Sequence, residues 1–167
     1  MKRVMIIDSP GTGKSTFAKK LAVKTGFPLI HLDFYYHDKT KNYLTDKEAW
    51  KAQVDEFTAR PTWIIDGNYG RTMAERMQRA DTIFYFNMPR RTALWGVIKR
   101  RANAHRTVRT DMPQGWKERA GWKFLKYVWT FRGNYAAATQ QMLVANSGKQ
   151  IVVFKNHRQI AHYLKVL

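Results

Sequence analysis

The stretch Arg3-Val4-Met5-Ile6-Ile7-Asp8-Ser9-Pro10-Gly11-Thr12-Gly13-Lys14-Ser15-Thr16 decides the fold. Arg3 to Ile7 is a short apolar run of strand type, two glycines follow at positions 11 and 13, and Lys14 to about Thr25 has helical spacing with Gly26 as a left-handed cap. A strand that hands over through a glycine-rich turn to a helix can point consecutive backbone N–H groups inward. The positive end of the helix dipole then lies beside them. That is the arrangement a phosphate group requires, and the spacing follows G-x-x-x-x-G-K-[ST] from position 8 to Ser15. The expectation is an ATP cradle formed by Pro10, Gly11, Thr12, Gly13, Lys14, Ser15 and Thr16. In it Lys14 reaches the β and γ phosphates and the Ser15 hydroxyl ligates Mg²⁺.

The motif departs from its pattern at one place, where Asp8 occupies the position of the first glycine. Aspartate enters left-handed backbone more readily than most residues. Its charge is the larger obstacle, since a carboxylate about 4 Å from a phosphate charge costs about 1 kcal/mol in water and about 4 kcal/mol at an effective dielectric of 20.

Beyond the loop, strands and helices alternate. Pro28 to Leu32 reads as a second strand, and Thr45 with Glu48 reads as a capping box opening a helix that ends before Pro61. Trp63-Ile64-Ile65 is a third strand running into the turn Asp66-Gly67-Asn68. A helix from about Thr72 to Arg79 precedes a fourth strand, Thr82 to Phe86. Arg91 to Ala102 is helical in spacing, Asn103 to Ala120 reads as an irregular insertion around Pro113 and Gly115, and a long helix resumes at Gly121. Gln150 to Phe154 is a fifth strand. Asn156 and Gln159 cap a closing helix with Ile160, Tyr163, Leu164 and Leu167 on one face. This alternation implies one α/β domain over residues 1–167, a parallel sheet covered by helices on both faces.

Composition narrows the classes. The 167 residues contain no cysteine, which excludes disulfides, thiolate metal sites and cysteine nucleophiles, and the five histidines show no ligand spacing. Val4 to Ile7 is too short for the apolar region of a signal peptide, and no stretch has the length of a membrane helix. A soluble cytoplasmic protein with no membrane partner is expected, and nothing in the residues fixes an oligomeric state. The formal charge of +18 implies attraction to polyanions. The basic residues crowd the segment from Arg90 to Arg132, with Trp116, Trp122, Phe124, Tyr127, Trp129 and Phe131 among them. Mixed basic and aromatic residues also occur in single-strand nucleic-acid binders. The spacing of Phe124, Tyr127, Val128, Phe131 and Tyr135 by 3 and 4 favours a helix face packed in the core.

Together, the loop, His31-Leu32-Asp33, Trp63 to Tyr69, Arg79-Ala80-Asp81-Thr82-Ile83 and Met88-Pro89-Arg90 resemble bacterial DNA topology modulation proteins. Those proteins are in turn similar to adenylate and shikimate kinases. The resemblance spans nearly the whole chain. It implies a P-loop NTPase three-layer sandwich with five parallel strands in the order 2-3-1-4-5, an acceptor-binding region at about 33–60 and a lid insertion at about 100–120. It also implies Asp33 at the acceptor, Asp66 holding Mg²⁺ through water, and cations closing over the moving phosphate, with Arg100, Arg101, Arg106 and Arg109 in or beside the lid and Arg132 on the helix returning from it. Carboxylates such as Asp33 and Asp66 also serve as ordinary turn residues.

Two functions follow as expectations. One is an ATP- and Mg²⁺-dependent phosphotransferase acting on a nucleotide or another small hydroxylated metabolite. The other is a nucleic-acid-associated ATP-binding protein that modulates DNA topology. Asp8 adds a third state to weigh, an enzyme whose nucleotide binding is weakened. Replacing Asp8 with glycine is therefore expected to tighten ATP binding in calorimetric titration, and superimposable curves for the two proteins would contradict this reading of position 8.

Overall fold

The computed structural model describes residues 1–41, 43–103, 111–113 and 121–167. Most of the expected lid, including Arg106, Arg109 and Trp116, lies outside these residues. Five parallel strands, β1 (Arg3–Ile7), β2 (Leu29–His31), β3 (Trp63–Asp66), β4 (Thr82–Tyr85) and β5 (Gln150–Val153), form one sheet in the order β2-β3-β1-β4-β5. The strand order implied by the resemblance is the one observed.

Alternate residues of the central strands explain the layers, because successive side chains point to opposite faces. Val4, Ile6, Ile64, Phe84 and Phe86 face one cluster, which α1 (Lys14–Thr25) completes with Phe17, Ala18 and Leu21 and α7 (His157–Val166) with Ile160. Phe17 is at its centre, with ring centroids 4.9 Å from Phe84, 5.4 Å from Phe86 and 5.4 Å from Phe154. Met5, Ile7, Trp63, Ile65, Ile83 and Tyr85 face the other cluster. Trp50, Val54 and Phe57 of α3 (Lys47–Thr58) and Met73 and Met77 of α4 (Met73–Arg79) cover that side.

Several elements depart from the sequence-based boundaries, each for a local reason. The second strand stops at His31, because Leu32–Tyr36 turns into a short helix, α2, with Leu32 fully buried beneath the backbone of Gly67. The helix expected from Thr45 is capped one residue later: the Asp46 carboxylate accepts from Ala49 N at 2.9 Å. A carboxylate also answers the positive end of the helix dipole, which a threonine hydroxyl does not. The turn before α4 is a 3-10 turn, Gly70–Thr72. At the C-terminus, Asn156 caps α7 through Gln159 N as expected, but Leu167 of the proposed apolar face is exposed.

The remaining helices are α5 (Arg90–Ala102) and α6 (Trp122–Ala145), which pack on each other through Ala93, Val97 and Val128. The aromatic stripe of α6 does not form a closed core. Val128 and Phe131 are buried, whereas Tyr127 and Tyr135 are 39% and 47% exposed. Spacing placed these residues on one face; that face borders a cavity. Among the described residues, no helix is long and apolar enough to cross a membrane.

Candidate functional site

In a parallel sheet the loops after the strands gather at the C-terminal edge, and ligands bind in the crevice they form. Here the edge opens into a cavity of about 1430 Å³. That is larger than the 300–1,000 Å³ or so usual for one small molecule. Pro10, Gly11, Gly13, Lys14, Ser15 and Thr16 line it, and so do Asp33 and Asp66. Thr12 does not: it is fully buried, and its hydroxyl donates to Ser9 O at 2.9 Å, which leaves only its backbone to face a ligand.

The first turn of α1 has no side-chain cap and no acidic residue. Its early N–H groups therefore have no partner from a capping side chain, as an anion-binding helix terminus requires. Beside them Lys14 is half-buried, and its ammonium donates to the carbonyls of Asp8 at 2.7 Å and Ser9 at 2.8 Å. Burial lowers the Lys14 pKa, while the carboxylates of Asp66, Asp8 and Asp33 oppose that change. One cation thus gathers all three acidic groups.

The loop owes its form to two contacts. The Asn68 side chain makes a reciprocal pair with the Asp8 backbone, accepting from Asp8 N at 2.9 Å and donating to Asp8 O at 2.7 Å. The pair continues the β1–β3 pairing one step beyond the strands. On the other side α5 touches the loop backbone to backbone. A Cβ at Gly96 would lie 2.0 Å from Gly11 O, and one at Gly11 would lie 2.2 Å from Ala93 O. Only glycine fits at both positions.

Asp8 has φ 131°, well outside the left-handed basin near φ +57° that aspartate tolerates. Such a residue stores about 1–3 kcal/mol of strain. Its carboxylate accepts from the backbone N–H groups of Ser9 and Met88, and Arg132 is near enough to lower its pKa. Burial outweighs these and Lys14, so the pKa rises from 3.8 to about 6.

Asp66 ends β3 with its Oδ2 3.1 Å from His31 Nδ1. His31 Nε2 is buried with no hydrogen-bond partner among the described residues. Asp33 begins α2 and accepts from the Tyr69 hydroxyl at 2.7 Å through Oδ1. Tyr69 is itself held in a positive-φ backbone, φ 35°, because the fully buried Arg76 guanidinium binds the carbonyls of Gly67, Asn68 and Tyr69. His31, Asn68 and Tyr69 fell within motifs read from sequence without a role assigned to them, and Arg76 and Gly96 were not singled out. A glycine inside the helical pattern of α5 was the signal available for Gly96. Of the expected cations, Arg100 lines the cavity, whereas Arg101 and Arg132 are on exposed positions outside its lining.

Mg²⁺ usually keeps several waters and takes one or two carboxylates together with substrate phosphates. Among the described residues no group of three histidines or carboxylates could hold a metal alone. Ser15 and Asp66, both lining the cavity, fit the lighter requirement.

The fold is shared with solved kinases. The chain is similar to a shikimate kinase from Bacteroides thetaiotaomicron, at 16% identity and a TM-score of 0.61, over 99% of this chain and 95% of that one. It is similar to a deoxyadenosine kinase from M. mycoides, at 14% identity and a TM-score of 0.54, over 98% and 94% of the two chains. A kinase-like protein from Chloroflexus aurantiacus follows at 12% identity and a TM-score of 0.53, over 99% and 96%. At these identities the likeness establishes the fold. No family model and no curated protein sequence matches the chain, and these comparisons give no support to the expected resemblance to DNA topology modulation proteins.

Position 8 yields a prediction with a definite sign. A carboxyl raised from 3.8 to about 6 on folding favours the native state below pH 3.8 and loses that contribution as pH rises through 6. At neutral pH the difference is about 3 kcal/mol. Asp8→Asn should therefore be more stable than the parent by about 3 kcal/mol near pH 7.5, with the gap closing toward pH 4. Asp8→Gly should show the same pH-dependent gain and exceed Asp8→Asn by a further ~1–3 kcal/mol at every pH, because it also removes the strain. Chemical denaturation across pH measures both, and an Asp8→Asn gap independent of pH would contradict the buried-charge account.

Proposed function

We propose that this chain is an ATP- and Mg²⁺-dependent phosphotransferase acting on a small hydroxyl-bearing acceptor. The observation that carries the reading is Lys14. Its half-buried side chain stands at the uncapped N-terminus of α1 and shares one cavity with Asp33 and Asp66. Residues 10 to 16 would cradle the triphosphate through backbone N–H groups, and Lys14 would move from the carbonyls of Asp8 and Ser9 to the phosphate oxygens. Ser15 would ligate the metal, with Asp66 reaching it through water and His31 fixing the orientation of the carboxylate. When bound, Mg²⁺ offsets charge on the transferring phosphoryl group.

Asp33 is proposed as the group that orients the acceptor hydroxyl and takes its proton, with Tyr69 holding the carboxylate in place. Arg100, Arg101 and Arg132 are proposed as cations for the phosphoryl group in flight, joined by lid residues from the remaining part of 100–120. An ATP donor and a cysteine-free chain both suit the cytoplasm.

The finer alternative, a nucleic-acid-associated protein affecting DNA topology, is supported by the charge of +18 and by Trp122 and Trp129 exposed beside Lys123 and Lys126 on α6. A duplex shift assay separates the readings. Under the phosphotransferase reading, any retention of duplex disappears by physiological salt, as nonspecific attraction does. Retention there that depends on ATP would favour the alternative.

The phosphotransferase reading predicts that one member of a panel of small alcohols accelerates ATP consumption. Lys14→Ala should remove that acceleration by at least a factor of about 100 while leaving circular dichroism unchanged, since it deletes a cation aimed at the developing charge. Acceptor-stimulated turnover surviving in Lys14→Ala would overturn the assignment.

A further inference from the structure

The described lining of the cavity divides by chemistry. Among the described residues every lysine and arginine lining it, Lys14, Lys19, Arg91, Lys99 and Arg100, belongs to α1 or α5, the helices that flank the phosphate loop. The rest of the described lining includes Tyr69 and Tyr127, both near Asp33, together with Met73, Met112, Phe131 and Tyr135. Among the described residues, this part of the lining contributes no lysine or arginine.

On α6 the rings make a continuous strip. The Tyr127 and Phe131 centroids are 5.6 Å apart, and those of Phe131 and Tyr135 are 4.9 Å apart. Tyr127 and Tyr135 retain large exposed areas although they border an interior space. The Tyr127 phenol is pushed up to about 12, chiefly by burial, with Tyr135 and the Asp33 carboxylate adding to the effect. Tyr127 therefore stands in the field of the carboxylate proposed to meet the acceptor. Methionine and aromatic faces accept flat rings by stacking and soft contact, with little demand on the ring's hydrogen-bonding pattern.

Resting on the phosphotransferase reading, we infer that the acceptor is an uncharged alcohol bearing a flat ring, the class to which nucleosides belong. An acceptor that already carries a phosphate does not suit this part of the lining. A phosphate needs cations in bidentate or clustered reach, whereas here it would meet Asp33 and the electron-rich faces of tyrosines. In the transfer, the acceptor hydroxyl oxygen forms a bond to the terminal phosphorus of ATP. The bond from that phosphorus to the β,γ-bridging oxygen breaks, its electron pair leaves with ADP, and the hydroxyl proton passes to Asp33. Oδ1 of Asp33 is occupied by Tyr69, which assigns this proton to Oδ2. His37 and Thr139, on the same cavity, supply polar contacts for the ring substituents.

The test is calorimetric titration of the full chain with 2′-deoxyadenosine and thymidine and, separately, with their 5′-monophosphates, with and without a nonhydrolysable ATP analogue and Mg²⁺. The expected result is that at least one nucleoside binds at least tenfold more tightly than its monophosphate. Tyr135→Ala should weaken that binding at least tenfold, and Tyr135→Phe should retain it. Equal or tighter binding of the monophosphates, absence of nucleoside binding, or an unaffected Tyr135→Ala would each overturn the inference. Failure of the phosphotransferase reading registers elsewhere, as a missing heat for the ATP analogue, because nucleoside binding is also measured without it.

Discussion

A single half-buried ammonium, that of Lys14, sits at the electrostatic centre of this molecule's candidate site. It satisfies two loop carbonyls directly and stands in the field of three carboxylates delivered by separate elements, Asp8 after β1, Asp33 in α2 and Asp66 at the end of β3. A buried cation without such partners would be prohibitively unfavourable, and the carboxylates without the cation would repel one another. In a chain of net charge +18 the centre of the site is thus an acidic island around one lysine. Under the proposed function, a bound triphosphate would replace the carbonyl oxygens as the partner of Lys14 without changing the logic of the site.

The loop that presents Lys14 is held against its own preferences. Asp8 occupies backbone that glycine adopts without cost, and the structure over-determines it. The Asn68 pair fixes both backbone groups of Asp8, the contact between Gly11 and α5 fixes the next turn, and Arg76 fixes the segment that carries Asn68. Strain and a raised carboxyl pKa are concentrated at one residue, beside the phosphate site, where a triphosphate would add further negative charge. If the proposed cradle holds a triphosphate, position 8 would link the stability of the fold to its occupancy.

Local chemistry that repeats along the chain was legible in the sequence. Apolar runs, the glycine spacing and the closing cap at Asn156 gave the five strands, α1 and α7. What depended on contacts between distant residues was not. The shift of the α3 cap from Thr45 to Asp46 turns on one residue of backbone geometry, and α2 forms because Leu32 is drawn under Gly67. The α6 stripe shows the limit most clearly. Spacing by 3 and 4 identifies a face, but the same spacing serves a closed core and a cavity wall, and only the opposing elements decide between them. Asp33, Asp66 and most of residues 10–16 line one cavity, with Thr12 turned inward and Arg101 and Arg132 outside the lining. His31 and Asn68 lie within quoted motifs that gave them no role, and Arg76 lies in none; each acts on a partner at least seven residues away.

The central claim is that Lys14 is a phosphate ligand whose present partners are placeholders. A crystal structure with a nonhydrolysable ATP analogue and Mg²⁺ tests it most directly. The account predicts the triphosphate wrapped by residues 10 to 16, with Lys14 Nζ within about 3.2 Å of β or γ oxygens and released from Asp8 O and Ser9 O. A nucleotide bound elsewhere, or Lys14 still donating to those two carbonyls beneath an ordered triphosphate, would contradict it.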